Sequence, residues 1–267
     1  MRVSAGRRAI SVGGFVLAAL ATSPSLLAQN WIKVPPPTVP RTADGKPNLS
    51  APVPRTPDGK PDLTGPWSSK DNTYLRDIAT GTKPEDVPFQ PWAKALFDQR
   101  KSGALSRQDP DASCLPQGVP KVDAVAYPWK MLQTPGSIVI VYEAFNLWRQ
   151  IFMDGREPAP DANPTWQGYS TGKWDGDTLI VDTRGFNGKA WLDQLGRPTT
   201  EALHVTERFQ RKDFGHMDIT ITIDDPKAYT RPWTVTEHVN LVLGTDLMEF
   251  ICNENNRDLE HLPGQVK

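Results

Sequence analysis

Apolar and polar residues alternate along the second half of the chain, from about residue 137 onward. Because successive side chains of a β-strand point to opposite faces, this alternation predicts strands that bury one face. Asp175-Gly176-Asp177, between two such runs, is a strong hairpin signal. The eight predicted strands cover residues 137–143, 147–153, 168–174, 178–183, 203–211, 217–223, 233–243 and 246–252. Strands that each pair with their sequence neighbour predict a mainly β fold, either an antiparallel up-and-down barrel or a sandwich.

The segment before these strands predicts one or two short helices and a loop. Residues 89–100 are expected to form a helix, because Pro91 suits the first turn and Gly103 suits the stop. Its apolar face is expected to carry Trp92, Ala95, Leu96 and Gln99. Residues 109–135 are punctuated by proline and are expected to form a loop.

A tandem repeat precedes the β-rich region. Residues 39–52 and 53–66 match at ten of fourteen positions, and each copy is built around Asp-Gly and several prolines. Such residues favour turns and polyproline geometry. We therefore expect residues 29–62 to form a proline-rich arm, either extended or wrapped on a single β-rich domain of residues 63–267.

The sequence at the junction of the second copy and the domain resembles the signature of the calycins, the family of the lipocalins and their relatives. The resemblance is carried by Gly65 and Trp67, which form a Gly-x-Trp. In calycins this tryptophan packs across one end of an antiparallel barrel, and the resemblance implies the same place for Trp67. On this interpretation the second copy positions Gly65 and Trp67, whereas the first copy is only a spacer.

Most of the chain after residue 53 also resembles an uncharacterised family of exported bacterial proteins. The motifs that carry this resemblance are residues 54–63 (PRTPDGKPDL) with Trp67, 114–120 (CLPQGVP), 149–156 (RQIFMDGR), 168–179 (GYSTGKWDGDTL), 191–193 (WLD), 207–209 (ERF) and 252–255 (CNEN). The resemblance implies export and a β-rich architecture, and it implies no particular reaction.

Four charged residues fall on the apolar faces of the predicted strands. Glu207, Glu237, Glu249 and Arg149 each share the parity of the apolar residues around them, so we expect all four to point inward. A buried ion-pair network is one explanation, because buried charges are retained when they are paired. The other is a functional site, in which a buried glutamate with a raised pKa acts as a catalytic acid or base.

Aromatic residues supply further candidates for ligand contact. Trp166 and Trp191 are expected in loops, where they would clamp a ring-shaped ligand. Trp174, Tyr169 and His204 lie on predicted strands and complete the candidate ligand-binding set. Core packing is the alternative for the tryptophans, and a solvated surface position is the alternative for the histidine.

The overall charge argues against several classes of partner. The chain of 267 residues has a net charge of −1, which is not typical of nucleic-acid binding. It shows neither a glycine-rich phosphate loop after a strand nor cysteine and histidine at zinc spacing. We therefore expect no nucleic-acid partner, no cofactor and no metal.

The first 28 residues are predicted to be a signal peptide. Arginines precede an apolar run at residues 12–20, and small residues lead to a cleavage site after Ala28. The run is short for a membrane span, and no later segment supplies one, so we expect no integral membrane segment after cleavage. The mature protein is expected to be periplasmic or secreted, through either the general or the twin-arginine route.

Export changes the expectation for the two cysteines. In an oxidising compartment Cys114 and Cys252 are predicted to form a disulfide, with two free thiols as the alternative.

Three functional hypotheses remain open from the sequence. The first is an exported barrel that holds a small molecule in an acid-lined apolar cavity. The second is a cofactor-independent hydrolase, lyase or isomerase that uses Glu207 or Glu237 as its acid or base. The third is a structural protein of the cell envelope that is bound through its proline-rich arm.

Overall fold

Burial alternates along the strands of the computed structural model. This structure describes residues 39–157, 162–254, 256–257 and 261–263. The predicted signal peptide and the first ten residues of the predicted arm lie outside them. In strand His216–Asp224 every second residue is buried, and the buried residues are apolar. The alternation in the sequence therefore does mark one inward and one outward face.

Among the described residues, nine strands form a closed barrel in sequence order. They are β1 Gly65–Ser69, β2 Trp129–Gln133, β3 Ser137–Tyr142, β4 Trp148–Phe152, β5 Tyr169–Asp175, β6 Thr178–Arg184, β7 His204–Arg211, β8 His216–Asp224 and β9 Trp233–Leu241. Two α-helices precede β2: α1 Thr73–Arg76 and α2 Pro91–Lys101. The prediction of a mainly β barrel is confirmed, and a sandwich is excluded.

One pair of neighbouring strands in the barrel is parallel. In a closed ring of nine strands, antiparallel pairing at all nine junctions would not return to the starting direction, so at least one junction must be parallel. That junction is β4 with β5, where Ile151 lies opposite Ser170 and Phe152 opposite Thr171. The predicted up-and-down order is otherwise correct, since the remaining junctions are antiparallel.

Two predictions about the strands are wrong. Residues 246–252 form no strand, because β1 already pairs with β9 and leaves no free edge beside it. Conversely, β2 lies inside the segment that was predicted to be a loop. It pairs with β1 on one side and with β3 on the other.

Helix α2 spans Pro91–Lys101, close to the predicted residues 89–100, but it buries a different face. Pro91 occupies its first turn, as expected. The buried residues are Ala93 and Phe97, whereas Trp92 is 47% exposed. Phe97 stacks on Phe89 at 5.1 Å between ring centroids, and this contact fixes which face turns inward.

The two repeat copies fold alike and pack against the barrel. In each copy the threonine amide donates to the lysine carbonyl four residues later, Thr42 to Lys46 and Thr56 to Lys60, at 2.9 Å. The first copy also accepts hydrogen bonds from the β7–β8 connection, where Phe214 N donates to the carbonyl of Ala51 at 2.8 Å. The arm is therefore wrapped on the domain, and the interpretation of the first copy as only a spacer is wrong.

The second copy also contacts the β5–β6 hairpin. Arg55 donates to both carboxylate oxygens of Asp177, at 2.8 and 2.6 Å. At its end the copy delivers Trp67 into the barrel, where the ring is fully buried. The indole Nε1 donates to Leu63 O at 2.9 Å, and the Arg211 guanidinium carbon lies 4.9 Å from the ring centroid.

Replacing Trp67 with alanine should lower the free energy of unfolding by about 3–5 kcal/mol, because a large buried side chain is removed. Trp148→Ala is the matched control, since Trp148 is 66% exposed, and it should cost less than about 1 kcal/mol. Denaturant unfolding of both variants measures the difference. Equal, small losses would show that Trp67 does not hold this end of the barrel.

The predicted disulfide between Cys114 and Cys252 is confirmed. The two residues are 138 positions apart, and in the chain-entropy model closing so long a loop stabilises a fold by about 4–5 kcal/mol. The bond ties the segment that follows β9 to the segment that precedes β2. Within the described part of the chain, no helix has the length and apolar character needed to cross a bilayer.

Candidate functional site

Arg149 and Glu207, both predicted to point inward, meet inside the barrel. The guanidinium donates from Nη1 to Glu207 Oε1 at 3.1 Å and from Nη2 to Glu207 Oε2. It also donates from Nε to Ser170 Oγ at 2.9 Å and from Nη2 to Thr183 Oγ1 at 2.7 Å. Burial alone would lower the pKa of Arg149, but the Glu207 carboxylate outweighs it and raises that pKa. The pair is a buried, bidentate ion pair with few donors left over.

The cluster has two further members that the sequence did not indicate. Asp123 comes from the irregular turn Lys121–Ala124 and is fully buried. Its Oδ1 accepts a hydrogen bond from the Tyr142 hydroxyl at 2.7 Å. Burial, and then the nearby Glu207 carboxylate, raise the pKa of Asp123 to about 8. The parity of β3 could have indicated Tyr142, whereas no regular pattern could have placed Asp123.

Glu237 on β9 is buried without compensation. Both of its carboxyl oxygens are inaccessible, and neither has a hydrogen-bond partner among the described residues. Burial raises the pKa of Glu237 well above its usual value, and the carboxylates of Asp123 and Glu207 raise it further. The structure therefore favours the neutral, protonated form of this side chain.

Glu249 does not belong to the cluster. The prediction of an inward position is wrong, because Glu249 lies outside the strands and is exposed. The alternation of Leu247, Glu249 and Ile251 is real, but Ile251 is also 48% exposed, so the alternation marks no buried face.

A cleft of about 440 Å³ opens where β4 and β5 form the parallel junction, and we call it the seam cleft. Its lining comprises Pro116, Asn146, Leu147, Trp148, Arg149, Gln150, Phe152, Thr165, Trp166, Gln167, Gly168, Tyr169 and Ser170. Three of the predicted ligand contacts, Arg149, Trp166 and Tyr169, therefore come together here. Trp148 was not among the predicted contacts, although its outward parity on β4 could have indicated it.

The turn that carries Trp166 is held by the end of β6. Thr165 N donates to the carbonyl of Gly185 at 2.9 Å. Gly168 has a φ of +66°, and a Cβ there would lie 2.8 Å from the carbonyl oxygen of Arg184. Only glycine fits this position without strain, so Gly168 fixes the end of the turn that carries Trp166.

Gln167 is the unusual polar residue of the seam cleft. Its amide oxygen and nitrogen are both inaccessible, and neither has a hydrogen-bond partner among the residues that the structure describes. Buried amide groups are nearly always paired, because an unpaired one loses its bonds to water. Because neither atom is accessible to solvent, the carboxamide is not exposed to the open cleft.

The other predicted contacts lie elsewhere. Trp191 is buried, with the Arg100 guanidinium carbon 4.3 Å from its ring centroid, so it packs inside the protein rather than clamping a ligand. Trp174 has the Lys60 ammonium 5.8 Å from its ring centroid. His204 lies on the outer side of β7 and pairs with Asp182. None of these three lines the seam cleft.

No metal site is present within the described ranges. The structure contains no group of three histidine, cysteine, aspartate or glutamate side chains arranged to hold a metal ion there. His216 pairs with Asp213, and His238 pairs with Asp218, so these histidines do not converge with His204.

Two larger cavities have several of their charged groups already engaged. One, of about 690 Å³, lies between the arm and the end of β9. Its Arg211 donates to three backbone carbonyls, and its Lys130 pairs with Asp246. The other, of about 810 Å³, lies on the outer face of β5 and β6, where Arg184 pairs with Asp182. The seam cleft is the best candidate site, because it brings together three predicted ligand contacts, Arg149, Trp166 and Tyr169, beside the exposed ring of Trp148.

Comparisons with known proteins assign no family to this chain. No protein-family model, no curated protein and no solved structure matches the chain. The resemblance to exported bacterial proteins therefore stays a prediction, and the candidate site rests on its own geometry.

Proposed function

We propose that this is an exported barrel protein that binds a small molecule in the seam cleft. The observation that carries the proposal is the lining of the cleft, which combines the aromatic side chains Trp148, Phe152, Trp166 and Tyr169 with polar residues. Ligand pockets are typically apolar clefts of this size with a few placed polar groups.

Two residues that line the cleft are held rigidly by hydrogen bonds. These residues are Arg149 and Ser170, and both belong to the hydrogen-bonded network inside the barrel. Side chains fixed by several hydrogen bonds lose little further entropy when a ligand arrives, which favours binding. Export is supported by the predicted signal peptide and by the disulfide, since disulfides persist in oxidising compartments.

The geometry favours binding over catalysis. The Glu207 carboxylate is already bound at both oxygens by Arg149, which makes it a poor acid or base. Glu237 is chemically better suited, but it lines none of the three cavities. A catalytic group must come within hydrogen-bond reach of its substrate. A purely structural role through the arm is also less favoured, because residues 39–62 pack on the barrel.

The proposal predicts that the mature protein, purified from the export compartment, carries or takes up a small molecule that depends on Trp166. Native mass spectrometry should show an added mass on the wild type that is weakened or lost in Trp166→Ala. Trp92→Ala is the control, since Trp92 is half-exposed on α2, away from the cleft. An added mass that both variants retain equally would place the ligand elsewhere and contradict the proposal.

A further inference from the structure

We infer that the ligand of the seam cleft is a short peptide, which binds in an extended conformation as an added strand beside β4. This inference rests on the proposed function, because it names the chemical class of the ligand that the same cleft takes. It follows from the pairing of β4, from the path of the chain before β5, and from the side chains beside the unpaired part of β4.

One side of β4 is paired along its whole length, whereas the other side is paired only near its end. On the β3 side the register runs through every residue from Trp148 to Phe152. On the β5 side it comprises Ile151 with Ser170 and Phe152 with Thr171. The first half of β4 therefore has a neighbouring strand on only one of its sides.

The backbone groups of Trp148 and Gln150 face this open side. Tyr142 N donates to the carbonyl of Leu147 at 2.9 Å, so Leu147 and every second residue after it face β3. The residues between them direct their N–H and C=O groups the other way, toward the seam cleft that they line. The parallel register with β5 reaches back to the Gln150 carbonyl. The Gln150 N–H and both backbone groups of Trp148 are left without a backbone partner among the described residues.

Gly168 directs the chain away from β4 just before β5 begins. Its φ of +66° lies in the left-handed region, which glycine adopts readily. Before it, Thr165 forms a bridge with Phe186, just after the end of β6, so this part of the chain follows β6 and not β4. The seam cleft lies between this turn and the unpaired half of β4, since residues of both line it.

An unpaired strand edge favours an extended polypeptide as its ligand. Its N–H and C=O groups are spaced to pair with another strand, and proteins that recognise peptides in this way gain affinity from main-chain hydrogen bonds. From Trp148 to Gln150 the open edge is about 7 Å long, since a strand rises by roughly 3.3 Å per residue. A peptide of about three residues presents donors and acceptors at the same repeat over this length.

The side chains beside the open edge favour an apolar residue in the peptide. Trp148 points outward and is 66% exposed, and its partner on β3 is Val141. A peptide residue paired with Trp148 would lie beside the indole ring, as cross-strand neighbours do. Phe152 and Trp166 also line the cleft, so an aromatic or branched side chain at that position would remove apolar surface from water.

The first test is amide hydrogen exchange of the full mature protein without ligand, followed by NMR. The amides of Trp148 and Gln150 should exchange at least about tenfold faster than those of Arg149 and Ile151, because only the latter pair with β3. Arg149 and Ile151 thus serve as controls within the same strand. Equal protection of all four amides would show that this edge is closed and would overturn the inference.

The second test compares two peptides by titration calorimetry. The probe is acetyl-Thr-Phe-Thr-amide, and its control is the same peptide N-methylated at each of the three residues, which keeps the side chains but loses their N–H donors. The wild type should bind the unmodified peptide at least about tenfold more tightly. The bound peptide should also slow exchange at Trp148 and Gln150, with little change at Arg149 and Ile151.

A pair of variants at one position tests the backbone directly. Gln150→Pro removes the free N–H, and proline is tolerated at a strand edge where the N–H faces away from the ladder. It should weaken binding of the unmodified peptide at least about tenfold, whereas Gln150→Ala, which keeps the N–H, should not. Should Gln150→Pro fail to fold, the two peptides and the exchange rates decide.

The outcomes separate this inference from the proposed function. Equal binding of the two peptides, binding that slows neither Trp148 nor Gln150, or full binding by folded Gln150→Pro would overturn the inference and leave ligand binding in the cleft intact. If neither peptide binds while the purified protein carries an added mass that depends on Trp166, only the inference fails. If neither peptide binds and no such mass is found, the proposed function fails as well.

Discussion

Arg149→Met is expected to lower the free energy of unfolding by about 3–5 kcal/mol. The substitution leaves the Glu207 carboxylate fully buried with no cation, and it removes the donors that serve Ser170 and Thr183. Breaking a buried pair on one side costs more than the pair contributes, because the remaining charge has no compensation. Urea unfolding at neutral pH measures the loss.

A second substitution tests that explanation. If the cost comes from the stranded carboxylate, Arg149→Met combined with Glu207→Leu should recover much of the stability, because apolar residues often replace a buried ion pair at little cost. Arg184→Met is the control, since Arg184 pairs with Asp182 on the exposed outer side of β6 and should change stability by less than about 1 kcal/mol. A small loss for Arg149→Met, or no recovery in the double variant, would contradict a structural role for the pair.

The inward position of Arg149 and Glu207 could be predicted because a strand residue points either inward or outward, in alternation with its neighbours. In β7 the apolar residues Val205 and Phe209 flank Glu207 at a spacing of two, so one assignment places all three inside. The same argument placed Arg149 and Glu237 correctly. Local alternation suffices wherever a strand has one face on the core.

Parity fails where the surroundings, rather than the local sequence, decide whether a strand forms. Residues 246–252 alternate as well as β4 does, but the edge they would need is occupied by β1. Strand β2 was missed for the opposite reason: prolines on both sides suggested a loop, although Trp129 and Met131 carry a correct apolar alternation. In both segments, whether a strand forms depends on a pairing partner that is distant in sequence.

The candidate site was only partly predictable for the same reason. Trp166 and Tyr169 could be proposed as ligand contacts from residue type alone. The seam cleft itself depends on the parallel junction of β4 and β5, which is required only once nine strands close into a ring. Asp123 enters the barrel from an irregular turn, and no periodic pattern can indicate its direction.

The stability of the wild type is expected to fall as the pH rises from about 5 to about 8. Burial raises the pKa of Asp123 from 3.8 to about 8, and it raises the pKa of Glu237 well above 4.5. In this range the folded protein keeps protons that the unfolded chain releases. Stability rises with pH only where the unfolded state binds more protons. Here the folded state binds more, so the unfolding free energy falls with pH, by up to about 1.4 kcal/mol per pH unit for each such group.

Glu237→Gln separates the contribution of one carboxyl from the rest. Glutamine keeps the size and neutrality of the protonated acid but cannot ionise, so the fall in unfolding free energy with pH should become shallower, by up to about 1.4 kcal/mol per pH unit. Glu85→Gln, at an exposed position, should leave the slope unchanged. Unfolding free energies at several pH values between 5 and 8 decide the matter. If Glu237→Gln keeps the wild-type slope, then Glu237 is ionised in the folded barrel and must have a cationic or donor partner there.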